Sequence, residues 1–264
     1  MNKISKLIYE TNDRGSGAFI PYLMAGDPDP EKSIEYIRAI VSGGADIIEL
    51  GVPFSDPVAD GPTIQAAGNR ALKATNNLEK VFELAKKSRE EVEIPIILMS
   101  YYNPIMQFGE TDFLKKCRET GINGVIVADL TAGEGNEVIE AARRYSVETP
   151  LLATPATDNS RLKKVSEKAT GFLYLVARPG TTGAKNEVAK ITKKAIRSVK
   201  TRVQKKIPVC VGFGLSSPDQ VGEVIEVGAD GAIVGSALVE RVGDGAKPEE
   251  LRIFVAELKE KTKL

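Results

Sequence analysis

A glutamate and an aspartate eleven residues apart carry the first chemical signal in this chain. Glu49 sits near the end of an apolar run, ADIIELG, and Asp60 follows beyond a turn rich in proline and glycine, VPFSDPVADGP. The chain has no histidine, the side chain whose ordinary pKa suits proton transfer near neutrality. An enzyme of this sequence that moves protons near pH 7 therefore turns first to carboxylates. If ADIIELG is extended, Ile47, Glu49 and Gly51 share one face and Ile48, Leu50 and Val52 the other. An unpaired carboxylate on such an apolar face costs on the order of several kcal/mol, unless it keeps its proton. The competing reading puts Glu49 just past the strand end, solvated or paired with a lysine. Asp60 and Asp56, taken alone, read as turn residues, because Asp-Gly-Pro and Ser-Asp-Pro are sound turn chemistry.

These residues need a frame, and the hydrophobic pattern describes one. Short apolar runs recur along the chain: GAFIPYLMA, ADIIELG, IPIILMS, NGVIVAD, TPLLAT, GFLYLVA, IPVCVG and GAIVGS. Charged, amphipathic segments separate them, including PEKSIEYIRAIVSGG, DFLKKCRETG and SPDQVGEVIEVG. Three of these helical segments end in the same way, at Gly44-Ala45-Asp46, Gly121-Ile122-Asn123 and Gly228-Ala229-Asp230. Glycine just past a helix adopts the left-handed conformation that ends it. The repeat amounts to eight βα units, whose uniformly apolar strands suit a parallel sheet covered on both faces. The expected fold is α/β, a (β/α)8 TIM barrel, with residues 1–264 as a single domain bearing an N-terminal helical extension. An open doubly wound sheet is the rival, though it usually has fewer strands and a switch in strand order. LEKVFELAKKSREEVEI predicts an amphipathic helix with an Asn cap within ATNNLEKV, and PEELRIFVAELKEKTKL a final covering helix with proline at its start.

Composition narrows the partners. Lys plus Arg equals Asp plus Glu at 36 each, so no net field draws the protein to nucleic acid or to a membrane surface. Cys117 and Cys210 lie in different contexts and read as buried, reduced thiols. The start, MNKISKLIYETND, lacks the apolar core of a signal peptide. No window approaches the roughly 18 apolar residues of a membrane span. A cytoplasmic protein is expected, with no metal, since no ligand cluster stands out.

Two late turns have the make-up of an anion site. GFGLSSPDQ follows the seventh apolar run and GSALVE the eighth. Glycines let backbone amides approach an anion, and barrels often bind phosphate in these two loops. A plain strand-to-helix turn is the competing reading of each. ARPGTTGAKNE, after the sixth run, has the composition of a flexible surface loop.

The string ELGVPFSDPVADGPTIQ resembles the signature of the tryptophan synthase alpha chain family. FIPYLMAGDPD, YYNPIMQFG, VADL, ARPGTTGA, GFGLSSPDQV and GADGAIVGSALV fall where that family has its loops, so the resemblance runs from Phe19 to the last helix. It implies a lyase that cleaves indole-3-glycerol phosphate to indole and glyceraldehyde 3-phosphate by a retro-aldol reaction. Glu49 would then be the acid and base, and Asp60 would hold the indole N–H. Gly183, Phe213, Gly214, Gly235 and Ser236 would bind the phosphate. Tyr22, Met99, Ala128, Tyr174 and Ile233, with Phe213, would line the indole pocket; on their residue types alone they read as core. By the same resemblance ARPGTTGAKNE would be a mobile lid, with Thr182 reaching the catalytic end of the second loop. The family needs no cofactor of its own. It works with a beta chain that carries pyridoxal phosphate and receives the indole, in a heterotetramer of two alpha and two beta chains. Pro53 to Pro57 and a loop from Asn103 to Phe108 would meet that chain.

Met24, Thr131, Ala177 and Thr181 depart from the family's usual residues, without removing a catalytic or phosphate-binding position. Two alternatives remain: a sugar-phosphate or ribonucleotide isomerase on the same fold, and a regulatory subunit with weak chemistry of its own. Neither requires both Glu49 and Asp60.

Overall fold

Each of the eight apolar runs becomes a strand: β1 (Ala18–Met24), β2 (Ile48–Gly51), β3 (Ile96–Ser100), β4 (Gly124–Val127), β5 (Leu151–Ala153), β6 (Leu173–Val176), β7 (Val209–Gly212) and β8 (Gly231–Val234). The computed structural model describes residues 3–130, 133, 135–176, 185–203, 207–212 and 214–264, with the backbone alone for 185–191. All strands pair in parallel, in the order β4-β3-β2-β1-β8-β7-β6-β5. The two ends of that order meet just before β5. Val125 donates its amide to the Glu148 carbonyl at 2.8 Å, and the Glu148 amide donates to the Asn123 carbonyl at 2.9 Å. The sheet is thereby a nearly closed barrel.

Helices α1 (Lys3–Asp13), α2 (Pro30–Ser42), α3 (Pro62–Ala71), α4 (Leu78–Glu91), α5 (Tyr102–Phe108) and α6 (Glu110–Glu119) accompany the first half. The second half adds α7 (Asn136–Arg144), α8 (Asn159–Lys168), α9 (Lys185–Val203), α10 (Pro218–Glu226), α11 (Ser236–Gly243) and α12 (Pro248–Glu260). Local signals account for several boundaries. Asn77 caps α4 by accepting the Lys80 amide, and α12 starts with proline. Gly44, Gly121 and Gly228 all have positive φ, as their places past helix ends require.

Strand alternation divides the apolar side chains into two layers. Ile48, Leu50, Leu98 and Val125 pack outward against helix residues such as Phe82, Phe113 and Leu251. Ile20, Ile47, Ile97, Ile126, Phe172 and Cys210 fill the barrel's interior together with Ile4 and Ile8 of α1. Helix α1 closes the N-terminal end of the barrel. Its Ile4 amide donates to Glu148 Oε1 at 2.7 Å, Ser5 Oγ to the Gly171 carbonyl at 2.8 Å, and Asn12 Nδ2 to the Asp230 carbonyl at 2.9 Å.

The Asp or Asn of the glycine repeat has a shared structural task at that end. Asp46, Asn123 and Asp230 accept the amides of Phe19, Ile96 and Val209, each at the start of the neighbouring strand. Each also meets a cation from a covering helix: Lys259 at 2.7 Å, Arg89 at 3.4 Å and Lys200 at 2.6 Å.

One expected loop is a helix. Asn103–Phe108 lies within α5, where Pro104 sits in the first turn and its missing amide costs nothing. Ile105 points into the core, Met106 is 49% exposed, and Phe108 packs on Phe82 and Phe113.

At the opposite end of the barrel, a buried carboxylate ties a loop to α3. Asp27, after β1, receives Arg70 through two bonds, Nε to Oδ1 and Nη2 to Oδ2, both 2.8 Å. Arg70→Ala leaves that buried carboxylate without its cation. An expected loss of about 2–4 kcal/mol should be read as a lower urea midpoint. Arg70→Lys should recover only part of it, because an ammonium cannot reproduce the paired fork.

A candidate active site at the C-terminal ends of the strands

A cavity of about 380 Å³ opens where the strands end, lined by residues from β1, β2, β3, β6 and β8 and from the loops after β2, β7 and β8. In barrels this end carries the chemistry, because the loops there converge over one point. Glu49 points into it from β2, on the inward face that alternation assigned, beside Tyr22 on β1 in the strand register. Asp60 reaches the same cavity from the loop before α3. Thus two carboxylates remote in sequence share one pocket.

Their surroundings differ. Glu49 is 1% exposed, and its Oε2 has no hydrogen-bond partner among the described residues. Burial first, and the charge of Asp60 second, push its pKa up to about 8. Burial also raises Asp60, but a hydrogen bond donated by Tyr101 pulls it back down. Tyr101 at the same time accepts the Ala59 amide at 3.0 Å, and its ring lies 5.4 Å from that of Phe54. One phenol therefore holds the loop and favours the ionised form of its aspartate.

The cavity floor is aromatic, made possible by two strand-end glycines. A Cβ on Gly51 would lie 2.0 Å from the Tyr22 hydroxyl, and one on Gly212 would lie 2.5 Å from the Tyr174 hydroxyl. Each tyrosine leans over the glycine that ends the next strand. Met99, Ile64 and Ile233 add apolar wall.

The far wall is backbone. Gly214, at φ 86°, and Gly235 with Ser236 line the cavity at the start of α11. The first intrahelical amide bonds of α11 come from Leu238 and Val239, both to the Gly235 carbonyl. Amides before them lie at the positive end of the helix with no carbonyl of the helix to bond. The described lining has no basic side chain. An anion there would meet amides and a helix terminus.

The model of the tryptophan synthase alpha chain family matches residues 8–263. The chain belongs to that family. It is 44% identical to the tryptophan synthase alpha chain of Methanosarcina barkeri, over 97% of this chain and 96% of that one. Against the alpha chain of Methanocaldococcus jannaschii the identity is 45%, over 91% and 84%. The crystal structure of the alpha chain from Legionella pneumophila superposes with a TM-score of 0.88 at 31% identity, covering 99% of this chain and 97% of that one. Family members are carbon–carbon lyases acting on indole-3-glycerol phosphate, and membership implies a beta chain as partner.

With the family known, the placement of each expected residue can be stated. Glu49, Asp60, Tyr22, Met99, Tyr174, Ile233, Gly214, Gly235 and Ser236 come together in the one cavity. Ala128 does not line it: it follows β4, where its amide donates to the Ser100 carbonyl at 2.9 Å. Phe213, Thr182 and Gly183 lie outside the described residues, as do Thr131, Ala177 and Thr181. Tyr101 had escaped notice in the sequence, although a tyrosine just past the end of the third strand falls where barrel active sites gather. No group of three or more metal-binding side chains occurs among the described residues, and no described helix is long and apolar enough to cross a membrane.

Proposed function

We propose that this chain cleaves indole-3-glycerol phosphate with Glu49 as acid and base and Asp60 as the partner of the ring nitrogen. The observation that supports this most is a pair of carboxyls in one pocket, one buried with an oxygen that has no partner among the described residues and the other held by Tyr101. Breaking the bond between the ring and the glycerol chain requires the ring to leave with an electron pair. Glu49 gives its proton to the ring carbon that bears the chain, making an indolenine. Asp60 accepts the ring N–H and stabilises the positive charge that develops there. The Glu49 carboxylate then takes the proton of the adjacent chain hydroxyl. The oxygen's electrons form the aldehyde, the carbon–carbon bond breaks, and its pair restores indole. Glu49 ends with its proton regained.

The phosphate would lie against Gly214, Gly235 and Ser236, completed by Phe213 and Gly183, with Thr182 in the closing lid. Tyr22, Met99, Tyr174 and Ile233 would hold the indole. The alpha chain would need no cofactor. Its beta chain would carry pyridoxal phosphate, in a cytoplasmic heterotetramer of two alpha and two beta chains. Val58, 83% exposed on the cavity lining, and Met106, 49% exposed on α5, offer that partner apolar surface. Indole release by the purified chain, alone and with a pyridoxal-phosphate beta chain, tests the reading. Slow release that rises sharply with the partner is expected. Folded protein that releases no indole in either case overturns it.

A further inference from the structure

The Tyr22 side chain occupies a position that its role as apolar wall does not explain. It is 7% exposed, yet it lines the cavity. Among the described residues, that hydroxyl's hydrogen-bond partner is Met24 Sδ at 3.9 Å. A thioether is a weak acceptor, and a phenol buried to this degree ordinarily finds an oxygen or nitrogen. The ring also has a direction. Its Cβ, Cγ and Cδ1 pack at Gly235, on the amide wall, while its Cζ and hydroxyl lie over Gly51, two residues past Glu49 on the inward face of β2. Tyr22 thus runs along the floor from the anion end of the cavity to its carboxylate end.

We infer that the Tyr22 hydroxyl is a specificity-determining donor for an oxygen on the chain that links the aromatic ring of the substrate to its phosphate. This rests on the proposed function, which places a hydroxylated three-carbon bridge along the same line. With the phosphate at Gly235 and the ring between Glu49 and Asp60, the bridge must cross Tyr22. A bridge hydroxyl would replace the thioether as acceptor, and a substrate with a bare hydrocarbon bridge would leave the phenol as it stands now. The groups facing the phenol are Glu49 from β2, Asp60 from the following loop, Tyr101 past β3 and Asp27 past β1.

The test compares Tyr22→Phe with the parent protein on two ligands. One is indole-3-glycerol phosphate; the other is 3-(indol-3-yl)propyl phosphate, which has the same ring and phosphate without the hydroxyls. Affinity is measured calorimetrically, with Glu49→Gln present in both proteins so that the first ligand survives. Removing one neutral hydrogen bond should weaken the hydroxylated ligand about five- to tenfold and the bare one less than twofold. Equal loss for both ligands would assign the hydroxyl to Asp60 or to packing, and no loss for either would assign it to Met24; both overturn the inference. Failure of the parent protein to release indole would instead defeat the proposed function, so the two failures are distinguishable.

Discussion

Glu49→Gln is expected to lower indole release by about three to four orders of magnitude while the protein stays folded. The amide keeps the shape of the acid but neither gives nor takes the proton. In this chain no histidine is present to replace it. The same burial that makes Glu49 useful also dates its protonation. With a pKa of about 8, the carboxyl is still an acid at pH 7, and kcat/KM should fall as pH rises through that value. Stability follows the same titration. A carboxyl whose pKa is raised on folding contributes fully below its unfolded value, and that contribution is lost as pH climbs through the folded one. From about pH 4.5 to 8 the parent protein should therefore lose ground to the glutamine variant, by up to a few kcal/mol. Urea midpoints of both proteins at pH 5 and pH 9 measure the gap. A gap of equal size at both pH values would show that Glu49 is not held protonated by its surroundings.

Asp60→Asn should cost about two to three orders of magnitude in kcat, because charge that develops on the ring nitrogen loses its counter-ion. The shape of the loop should survive, since Tyr101 holds the Ala59 amide independently of the carboxylate. A second effect separates this prediction from simple damage. The charge of Asp60 is the lesser of the two causes that raise Glu49. Without it, the residual activity of Asp60→Asn should lose its alkaline limb at a lower pH than the parent. A pH profile that keeps the parental limb would mean the two carboxyls do not sense each other.

Much of this architecture was legible before any coordinates. Apolar runs of six to nine residues, separated by amphipathic segments, leave little but parallel strands covered by helices. The Gly44, Gly121 and Gly228 turns marked helix ends because positive φ is cheap only for glycine. Period-two alternation put Glu49 on the same face as Ile47, and the structure has both inside the barrel. The Asn103–Phe108 segment, expected as a loop with exposed apolar residues, is helical instead, since proline in a first helical turn is no obstacle.

Other features could not be read from the chain. Tyr22 and Gly51 are distant in sequence, and so are Tyr174 and Gly212; only strand register brings each phenol over its glycine. Tyr101 became part of the site through a loop that returns to it from β2. Closure at Glu148 likewise depended on where two strand ends met in space. The sequence by itself determined which segments are strands, which face of β2 bears the glutamate, and that carboxylates are the first candidates for proton chemistry. These follow from local periodicity and from side-chain types. The tertiary structure alone decided that Glu49 and Asp60 share a pocket, one buried without a partner and the other held by Tyr101. Desolvation and mutual charge act through space, and neither exists until the barrel has closed around them.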